Sequence, residues 1–293
     1  MGNVGRCGET GGFVPGPLPG GFCCVRGASR SATRGVAARD LYFMTSHLIM
    51  MFRSPASLQS DLDTLEAVEK ASLRMVTQAI YLFRHDAVEI FANEKDQVGD
   101  IAEDITREAL DKMGVSKIDM RLFGKMDYKR ARYFFHPDFA LKQALFVDSK
   151  AEKGDKSSAT IQTSQTSMEI RQIRNKAEIH ELGKLPTVIS DEGGDLLVTT
   201  IFVKYNYREI RRARSELPDI GLNSITLSCI PNGMLQDIYN PTCEDTIWRA
   251  GRDAPTLGEA FRVRLKYDLL RRKMPWRIQT ISLDPDGSFT WVD

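Results

Sequence analysis

Two aspartates and a lysine have the residue types and spacing that metal-assisted phosphate chemistry requires. Asp127 lies in the run G-K-M-D-Y-K, and 21 residues later the run V-D-S-K contains Asp148 and Lys150. Alternate residues of a β-strand project from one face, so Asp148 and Lys150 point the same way if this run is a strand. Carboxylate oxygens suit Mg²⁺, and a nearby ammonium group can activate a water or steady a phosphate oxygen. The pattern predicts that Asp127 and Asp148 bind Mg²⁺ beside Lys150.

These three residues form the D…(D/E)-x-K pattern of the PD-(D/E)XK nucleases, although Met126 stands where a proline usually precedes the first aspartate. The pattern alone is weak, because D-x-K arises by chance about once in a chain of this size. A carboxylate that caps a strand end and a lysine on a solvated loop would leave the same letters. The apolar run Ala144–Val147 favours the nuclease interpretation, because it predicts a carboxylate emerging at the edge of the core.

The elements that must position these residues are helices followed by a mixed set of strands. Residues 61–93 read as one helix capped by Asp61 or Asp63, and Val98–Met113 as a second helix that ends at Gly114. The first helix carries an apolar stripe at helical spacing, formed by Leu65, Val68, Val76, Ile80 and Phe83. Strands are predicted at 122–135, 144–148, 196–207 and 224–230, with a C-terminal hairpin at 278–292. This order predicts an α/β or α+β domain with a central mixed sheet flanked by helices.

Two further segments bear on function. Lys150–Ser167 is polar and rich in Ser, Thr, Lys and Gln, which predicts a loop or a mobile lid. Glu259–Asp268 alternates apolar with basic residues, which predicts a strand with one buried and one basic face, followed by a helical turn at 269–274. The basic face would carry Arg262 and Arg264.

Composition indicates a globular protein with an unusual N-terminus. The 293 residues include 40 basic and 39 acidic side chains, so any nucleic-acid affinity must come from local patches. Residues 1–43 hold 10 of the 22 glycines and no apolar period, and we expect them to be upstream sequence read in frame, with translation starting at Met44, Met50 or Met51. A disordered tail and a targeting peptide are the alternatives. Residues 44–293 then form a single domain, and no stretch reaches the length of a membrane span.

The cysteines and histidines form no recognisable metal motif. Outside the N-terminal extension only Cys229 and Cys243 occur, and neither belongs to a C-x-x-C pair. This pattern offers no support for a zinc ribbon or a disulfide framework, and it indicates a reducing, cytoplasmic location. The four histidines, among them His180, are scattered, and we expect them to be surface or locally hydrogen-bonded residues.

Longer runs resemble the SfiI family of type II restriction endonucleases. The similar blocks occur in matching order over about Leu62–Gln279, and the first 43 residues have no counterpart. The blocks are Leu65–Arg74, Ala102–Thr106, Asp127–Arg132, Val147–Lys150, Ile201–Glu209, Tyr239–Pro241, Gly258–Arg264 and Pro275–Arg277. The family departs from the strict Pro-Asp pair in the same way as Met126 does.

The resemblance implies a PD-(D/E)XK nuclease whose catalytic residues are Asp127, Asp148 and Lys150. It implies Mg²⁺-dependent cleavage of double-stranded DNA at an interrupted palindrome, GGCCNNNNNGGCC or a close relative. A homotetramer made of two dimers and a cognate methyltransferase in the same cell are implied as partners. Glu103, in the matched block on the second helix, is either a further acidic ligand or, as we prefer, a helix-surface carboxylate. The alternatives are a nuclease of this superfamily with repair or structure-specific activity, and a non-catalytic DNA-binding relative.

DNA binding requires basic surface despite the near-neutral total charge. Basic residues cluster around Asp127, where they include Lys129, Arg130 and Arg132, along the 196–214 region, which includes Lys204, and near the C-terminus, which includes Arg277. Such clusters are usually solvated faces. Arg262 and Arg264 differ, because a strand would aim both guanidinium groups into one groove, where Arg reads guanine bidentately. Phosphate binding and internal salt bridges to Glu259 or Asp268 are the alternatives.

Overall fold

The computed structural model describes residues 52–93, 98–114, 131–154, 157–210, 219–251 and 262–292. All of them belong to the unit Ser46–Asp293. The N-terminal segment 1–43 and the candidate start residues Met44, Met50 and Met51 lie outside the described residues, so the interpretation of that segment stays a prediction. Among the helices of the described residues, none is long and apolar enough to cross a membrane.

The described chain contains both helices and strands, which we number in chain order. The helices are α1 (Leu62–Leu82), α2 (Arg84–Asn93), α3 (Val98–Lys112), α4 (Gln236–Tyr239) and α5 (Tyr267–Lys273). The strands are β1 (Ala131–His136), β2 (Leu141–Lys153), β3 (Ser158–Ile161), β4 (Ile170–Arg174), β5 (Ala177–Glu181), β6 (Val188–Asp191), β7 (Gly194–Ile210), β8 (Asp219–Ile230), β9 (Trp248–Ala250), β10 (Val263–Lys266), β11 (Ile278–Leu283) and β12 (Phe289–Val292). Short 3₁₀ helices occur at Pro55–Ser60, Pro137–Phe139, Thr163–Gln165, Gly233–Leu235 and Pro275–Arg277.

The helices follow the predicted apolar pattern, with one difference. The predicted stripe on α1 is buried, and Asp61 caps the helix by accepting a hydrogen bond from the Thr64 amide at 3.2 Å. The single helix predicted over 61–93 is instead two helices, because the backbone leaves helical geometry at Phe83. The second predicted helix is confirmed as α3, and Gly114 follows it with a φ of 73°, a left-handed conformation suited to glycine.

The central sheet is mixed, as predicted. Its strand order in the described residues is β1-β2-β7-β8-β11-β12, and β6 also pairs with β7. Strands β2 and β7 are parallel and the other pairs are antiparallel. The three long helices pack on one face of this sheet in a shared apolar cluster. The other face is covered in part by a second sheet, of order β3-β10-β9, which the sequence did not predict as a separate sheet.

Strand β2 is longer than predicted, and this corrects the reading of the polar segment that follows it. The short strand expected to end at Asp148 continues to Lys153, because β7 pairs with it in parallel from Gln143 onward and satisfies its backbone hydrogen bonds. Lys150–Ser167 is therefore not simply a loop or lid: it contains the end of β2, the strand β3 and the 3₁₀ turn at Thr163–Gln165. Asp148 lies within a strand rather than at its end.

Other strand predictions hold in their main features. The strongest predicted strand is β7, the 224–230 segment is the C-terminal part of β8, and the C-terminal hairpin forms from β11 and β12. The alternating segment forms β10 with Val263 and Leu265 buried, but the chain turns helical at Tyr267. The 122–135 segment is described only from Ala131 onward, where it forms β1.

Candidate active site

Asp148 and Lys150 project from the same face of β2. In the parallel register Asp148 lies opposite Phe202 of β7, and Lys150 lies opposite Lys204. The Asp148 side is nearly buried, with a relative exposure of 7%. This face of β2 points toward β3 and the 3₁₀ turn that follows it, since both side chains hydrogen-bond there. The carboxylate and the ammonium group are thus held at one place, as the strand periodicity predicts.

Gln165 fixes the orientation of the Asp148 carboxylate. Its amide Nε2 donates to Asp148 Oδ2 at 2.6 Å, and its Oε1 accepts a hydrogen bond from the Gln162 backbone N–H at 2.8 Å. Both ends of the Gln165 amide are therefore engaged, so its donor is aimed at the carboxylate. Sequence reasoning missed this residue because it placed the turn in an unstructured loop, and no local motif connects it with Asp148.

Lys150 keeps donor capacity on the same face. Its Nζ donates to the Thr160 carbonyl oxygen of β3 at 3.3 Å and lies 5.8 Å from the centre of the Phe202 ring. An ammonium group has three donors, so one contact of this kind leaves donors for a phosphate oxygen or a water. The half-buried side chain is held by the second sheet, while its charge stays beside Asp148.

The opposite face of β2 is structural. Ser149 Oγ donates to Thr106 Oγ1 of α3 at 2.7 Å, and Thr106 shares a 2.9 Å hydrogen bond with the Tyr205 hydroxyl. Burial raises the pKa of Tyr205, which keeps this phenol neutral. Glu103 lies one helical turn before Thr106 and is half-buried. Because α3 packs on the Ser149 face, this arrangement favours the helix-surface interpretation of Glu103 over a role as a ligand beside Asp148.

Asp127, the second predicted carboxylate, and the predicted DNA contacts Lys129 and Arg130 lie outside the described residues. Their assignments stay predictions. The chain re-enters the described part at β1, which pairs antiparallel with β2 and places Ala131 opposite Phe146. The segment containing Asp127 is therefore joined directly to a neighbour of the strand that carries Asp148.

Arg264 projects from the second sheet into solvent, on the face opposite its buried neighbours Val263 and Leu265. In the antiparallel register it lies directly across from Arg249 of β9, which is also exposed. Two guanidinium groups at adjacent cross-strand positions repel each other in the free protein unless an anion lies between them. The pair therefore forms a cationic patch, and Arg249 is a residue that the sequence analysis did not single out.

Arg262 precedes β10 and is half-buried. Its carbonyl oxygen accepts a hydrogen bond from the Gly251 amide at 2.9 Å, and a Cβ at Gly251 would lie only 2.2 Å from that oxygen. A glycine is required at this close approach, because any side chain would force the two backbones apart. Gly251 thus helps to hold the segment that carries Arg262 against the end of β9.

A cleft of about 470 Å³ opens beside Arg249. It is lined by acidic and basic side chains together, namely Glu244, Asp245, Thr246, Arg249, Leu269, Arg272 and Lys273. Lys273 forms a 2.6 Å ion pair with Asp245 across it. The charge of the C-terminal basic cluster is therefore partly neutralised on this side.

Three residues of the basic clusters are buried and cannot form a DNA-binding surface. Arg132 is paired with Asp111, and Lys204 contacts the Ser158 carbonyl oxygen at 3.4 Å. Arg277 is fully buried and forms a 2.7 Å ion pair with Glu69 of α1, whose other oxygen accepts the Asn232 amide. Burial raises the pKa of Glu69, and the adjacent Arg277 opposes that effect. The sequence shows charge but not burial, so these residues could not be separated from surface cations.

The mixed sheet, its helix-covered face and the carboxylate–lysine pair on a central strand are the features of a restriction-endonuclease fold. The family model described as Type II restriction enzyme SfiI matches residues 66–281. This chain belongs to that family, and it is a type II restriction endonuclease.

Similar proteins agree with this assignment. The Type II restriction enzyme SfiI of Streptomyces fimbriatus is 34% identical over 247 residues, which cover 79% of this chain and 90% of that enzyme. The crystal structure of tetrameric SfiI bound to cognate DNA matches with a TM-score of 0.65 and 28% identity, over 79% of this chain and 94% of that one. The structure of BglI bound to its DNA recognition sequence matches with a TM-score of 0.60 over 85% of this chain and 99% of that one. At 14% identity, BglI supports the fold alone.

Proposed function

We propose that this endonuclease hydrolyses double-stranded DNA in a Mg²⁺-dependent reaction at GGCCNNNNNGGCC or a close relative. The observation that carries the proposal is the placement of Asp148 and Lys150 on one face of β2, with the exposed Arg264 on the adjoining second sheet. Membership of the SfiI family supports it.

The donor set fits a hard divalent cation. Asp148 supplies a nearly buried, oriented carboxylate, and Asp127 is the second carboxylate in this proposal. Mg²⁺, when bound, supplies a Lewis acid for the scissile phosphate and for the attacking water. Lys150 steadies a phosphate oxygen or the water from the same face of the strand, and Gln165 holds Asp148 in the orientation for binding. In-line attack on phosphorus then leaves a 5′-phosphate and a 3′-hydroxyl.

Recognition of DNA is assigned to residues of the second sheet and of the segment before β1. Arg262 and Arg264 read guanine edges in this proposal, and Lys129 and Arg130 contact DNA near Asp127. The exposed side chain of Arg264 supports a base-reading role, because it projects from a short, well-paired strand rather than from a loop. Arg249 adds positive charge at the directly opposite position.

Digestion of a sequenced plasmid with two GGCCNNNNNGGCC sites tests the proposal. Wild type with Mg²⁺ is compared with Asp148→Ala and with Asp195→Ala, a control that removes an exposed strand carboxylate far along the sequence. We expect discrete fragments from wild type and Asp195→Ala, and none from Asp148→Ala. Discrete cuts elsewhere would discard the proposed recognition sequence, and nicks confined to junctions or flaps would favour a structure-specific nuclease. Binding without cleavage by wild type would point to a non-catalytic relative.

The assembly and cellular context follow the same proposal. The solved relative is described as tetrameric and DNA-bound, and we propose the same homotetramer, a dimer of dimers, for this chain. A plasmid with two sites is then cut faster than one with a single site, and sedimentation of the free protein gives the mass of four chains. We further propose a cytoplasmic location and a cognate DNA methyltransferase that protects the host sites.

A further inference from the structure

A thiol, an imidazole and a carboxylate converge at the β4–β5 hairpin. Glu178 and His180 are two residues apart on β5, so both project from one face of the strand. Cys243 reaches them from the loop between α4 and β9. One ligand atom from each of the three residues lies within 4.8 Å of the other two. This cluster is separate from Asp148 and plays no part in the proposed cleavage.

The distances suit a tetrahedral metal ion. Cys243 Sγ lies 3.5 Å from His180 Nε2. With Zn–S near 2.3 Å and Zn–N near 2.05 Å, two ligands at the tetrahedral angle lie about 3.5 Å apart. His180 Nε2 and Glu178 Oε2 are 3.8 Å apart, a few tenths of an ångström beyond the tetrahedral separation expected for nitrogen and oxygen ligands. Glu178 is exposed, so its carboxylate can close this gap by a rotamer change.

His180 also has the outer partner that metal-binding histidines use. Its Nδ1 lies 3.2 Å from Glu169 Oε1, while Glu169 Oε2 accepts a 2.7 Å hydrogen bond from Arg171. A carboxylate at Nδ1 fixes the imidazole tautomer with the proton on Nδ1 and leaves the Nε2 lone pair directed at the ligand position. Burial acts to raise the pKa of Glu169, but the hydrogen bonds from Arg171 and His180 outweigh it, so the pKa lies below its ordinary value and the carboxylate stays charged.

We propose that Glu178, His180 and Cys243 bind a zinc ion that fastens the β4–β5 hairpin to the loop before β9. Sulfur, imidazole nitrogen and carboxylate oxygen are the three ligand types that zinc accepts, and three protein ligands leave one position for water. Binding converts the Cys243 thiol to a zinc-bound thiolate and releases its proton to solvent. Because β4 contacts β9 and β9 pairs with β10, the ion would stabilise the support of Arg249 and Arg264.

Zinc and cobalt titrations of the full-length chain test this proposal. Cys7, Cys23 and Cys24 are first replaced by Ser, so that N-terminal thiols cannot bind the probe. After treatment with a chelator, we expect one tightly bound Zn²⁺ per chain, and Co²⁺ should give a thiolate-to-cobalt charge-transfer band with tetrahedral d–d bands. Ions at the nuclease site would add no thiolate band, so this readout does not depend on cleavage.

Variants separate a metal site from a simple hydrogen-bonded cluster. Cys243→Ser should abolish the thiolate band, and His180→Ala, at a half-exposed side chain, should weaken zinc binding without unfolding the chain. Glu169→Gln should lower zinc affinity by about 10–100-fold through loss of the outer carboxylate. Glu244→Gln, which changes an exposed carboxylate next to Cys243, should bind zinc like the parent chain. Absence of stoichiometric zinc, or a thiolate band that persists in Cys243→Ser, would overturn the proposal in favour of an S–H···N hydrogen bond.

Discussion

Replacing Gln165 by Ala should weaken the dependence of cleavage on Mg²⁺ without altering the fold. The substitution removes the 2.6 Å hydrogen bond that orients the Asp148 carboxylate. A hydrogen bond to a charged group contributes about 1.5–3 kcal/mol. Loss of a residue that orients a metal ligand typically costs about 10–100-fold in metal affinity or activity, which corresponds to roughly 1.4–2.8 kcal/mol. The two ranges agree, and we therefore expect the Mg²⁺ concentration for half-maximal cleavage to rise by about 10–100-fold.

The assay is the cleavage rate of a cognate plasmid at saturating DNA across a Mg²⁺ titration. High Mg²⁺ should restore much of the rate in Gln165→Ala, because the substitution leaves Asp148 and Lys150 in place. Ser164→Ala is the matched control: Ser164 lies in the same turn and its hydroxyl contacts Gln162 Oε1 at 3.5 Å rather than Asp148. A Gln165→Ala enzyme with wild-type Mg²⁺ dependence and rate would refute the positioning role. A loss of rate that no Mg²⁺ concentration restores would show that the turn itself had been disrupted.

Three further substitutions test the fold and the DNA surface. Arg277→Met leaves Glu69 buried without its cation and should lower the free energy of unfolding by about 3–5 kcal/mol in urea titrations, with most of the loss recovered by adding Glu69→Leu; a loss under about 1 kcal/mol would contradict this. Hydrogen bonds from Arg53 and Thr64 lower the pKa of Asp61 below its ordinary value of 3.8, so its contribution to stability is complete above that pH and is lost as the pH falls through the lowered value. Asp61→Ala should therefore destabilise the chain at pH 6 and have a smaller effect on acid unfolding below pH 3.8; an equal effect at both would be inconsistent with the charge argument. Arg264→Ala should abolish discrete cleavage and retain Mg²⁺ binding, because each bidentate base contact is worth about 1–3 kcal/mol, whereas Arg271→Ala should keep the fragment pattern; unchanged sequence preference in Arg264→Ala would exclude base reading.

Local periodicity was sufficient for much of the fold. The apolar stripe of α1, the long apolar strand β7 and the alternation of β10 each follow from side-chain spacing, and the structure confirms them. The same rule places Asp148 and Lys150 on one face of a strand. These features depend on the 3.6-residue and two-residue periods of helix and strand, which any sequence displays directly.

Pairing and burial were decided by the tertiary structure. Strand β2 extends through polar residues because β7 lies parallel to it, and no property of residues 149–153 alone announces that partner. Lys204 and Arg277 look like surface cations in the sequence but are buried, the latter beside Glu69. Burial depends on which elements pack together, so a count of charges does not separate a DNA-binding patch from an internal ion pair.

The sequence by itself determined the family, the order of the main elements and the candidate catalytic pair Asp148 and Lys150, because these follow from local spacing and from ordered blocks of similarity. Only the tertiary structure brought Gln165 to Asp148 and Cys243 to His180. The latter two residues are 63 positions apart, and a contact over that distance depends on how the β4–β5 hairpin and the loop before β9 pack together. Residue spacing carries no information about such packing, which is why both clusters were absent from the sequence-based predictions.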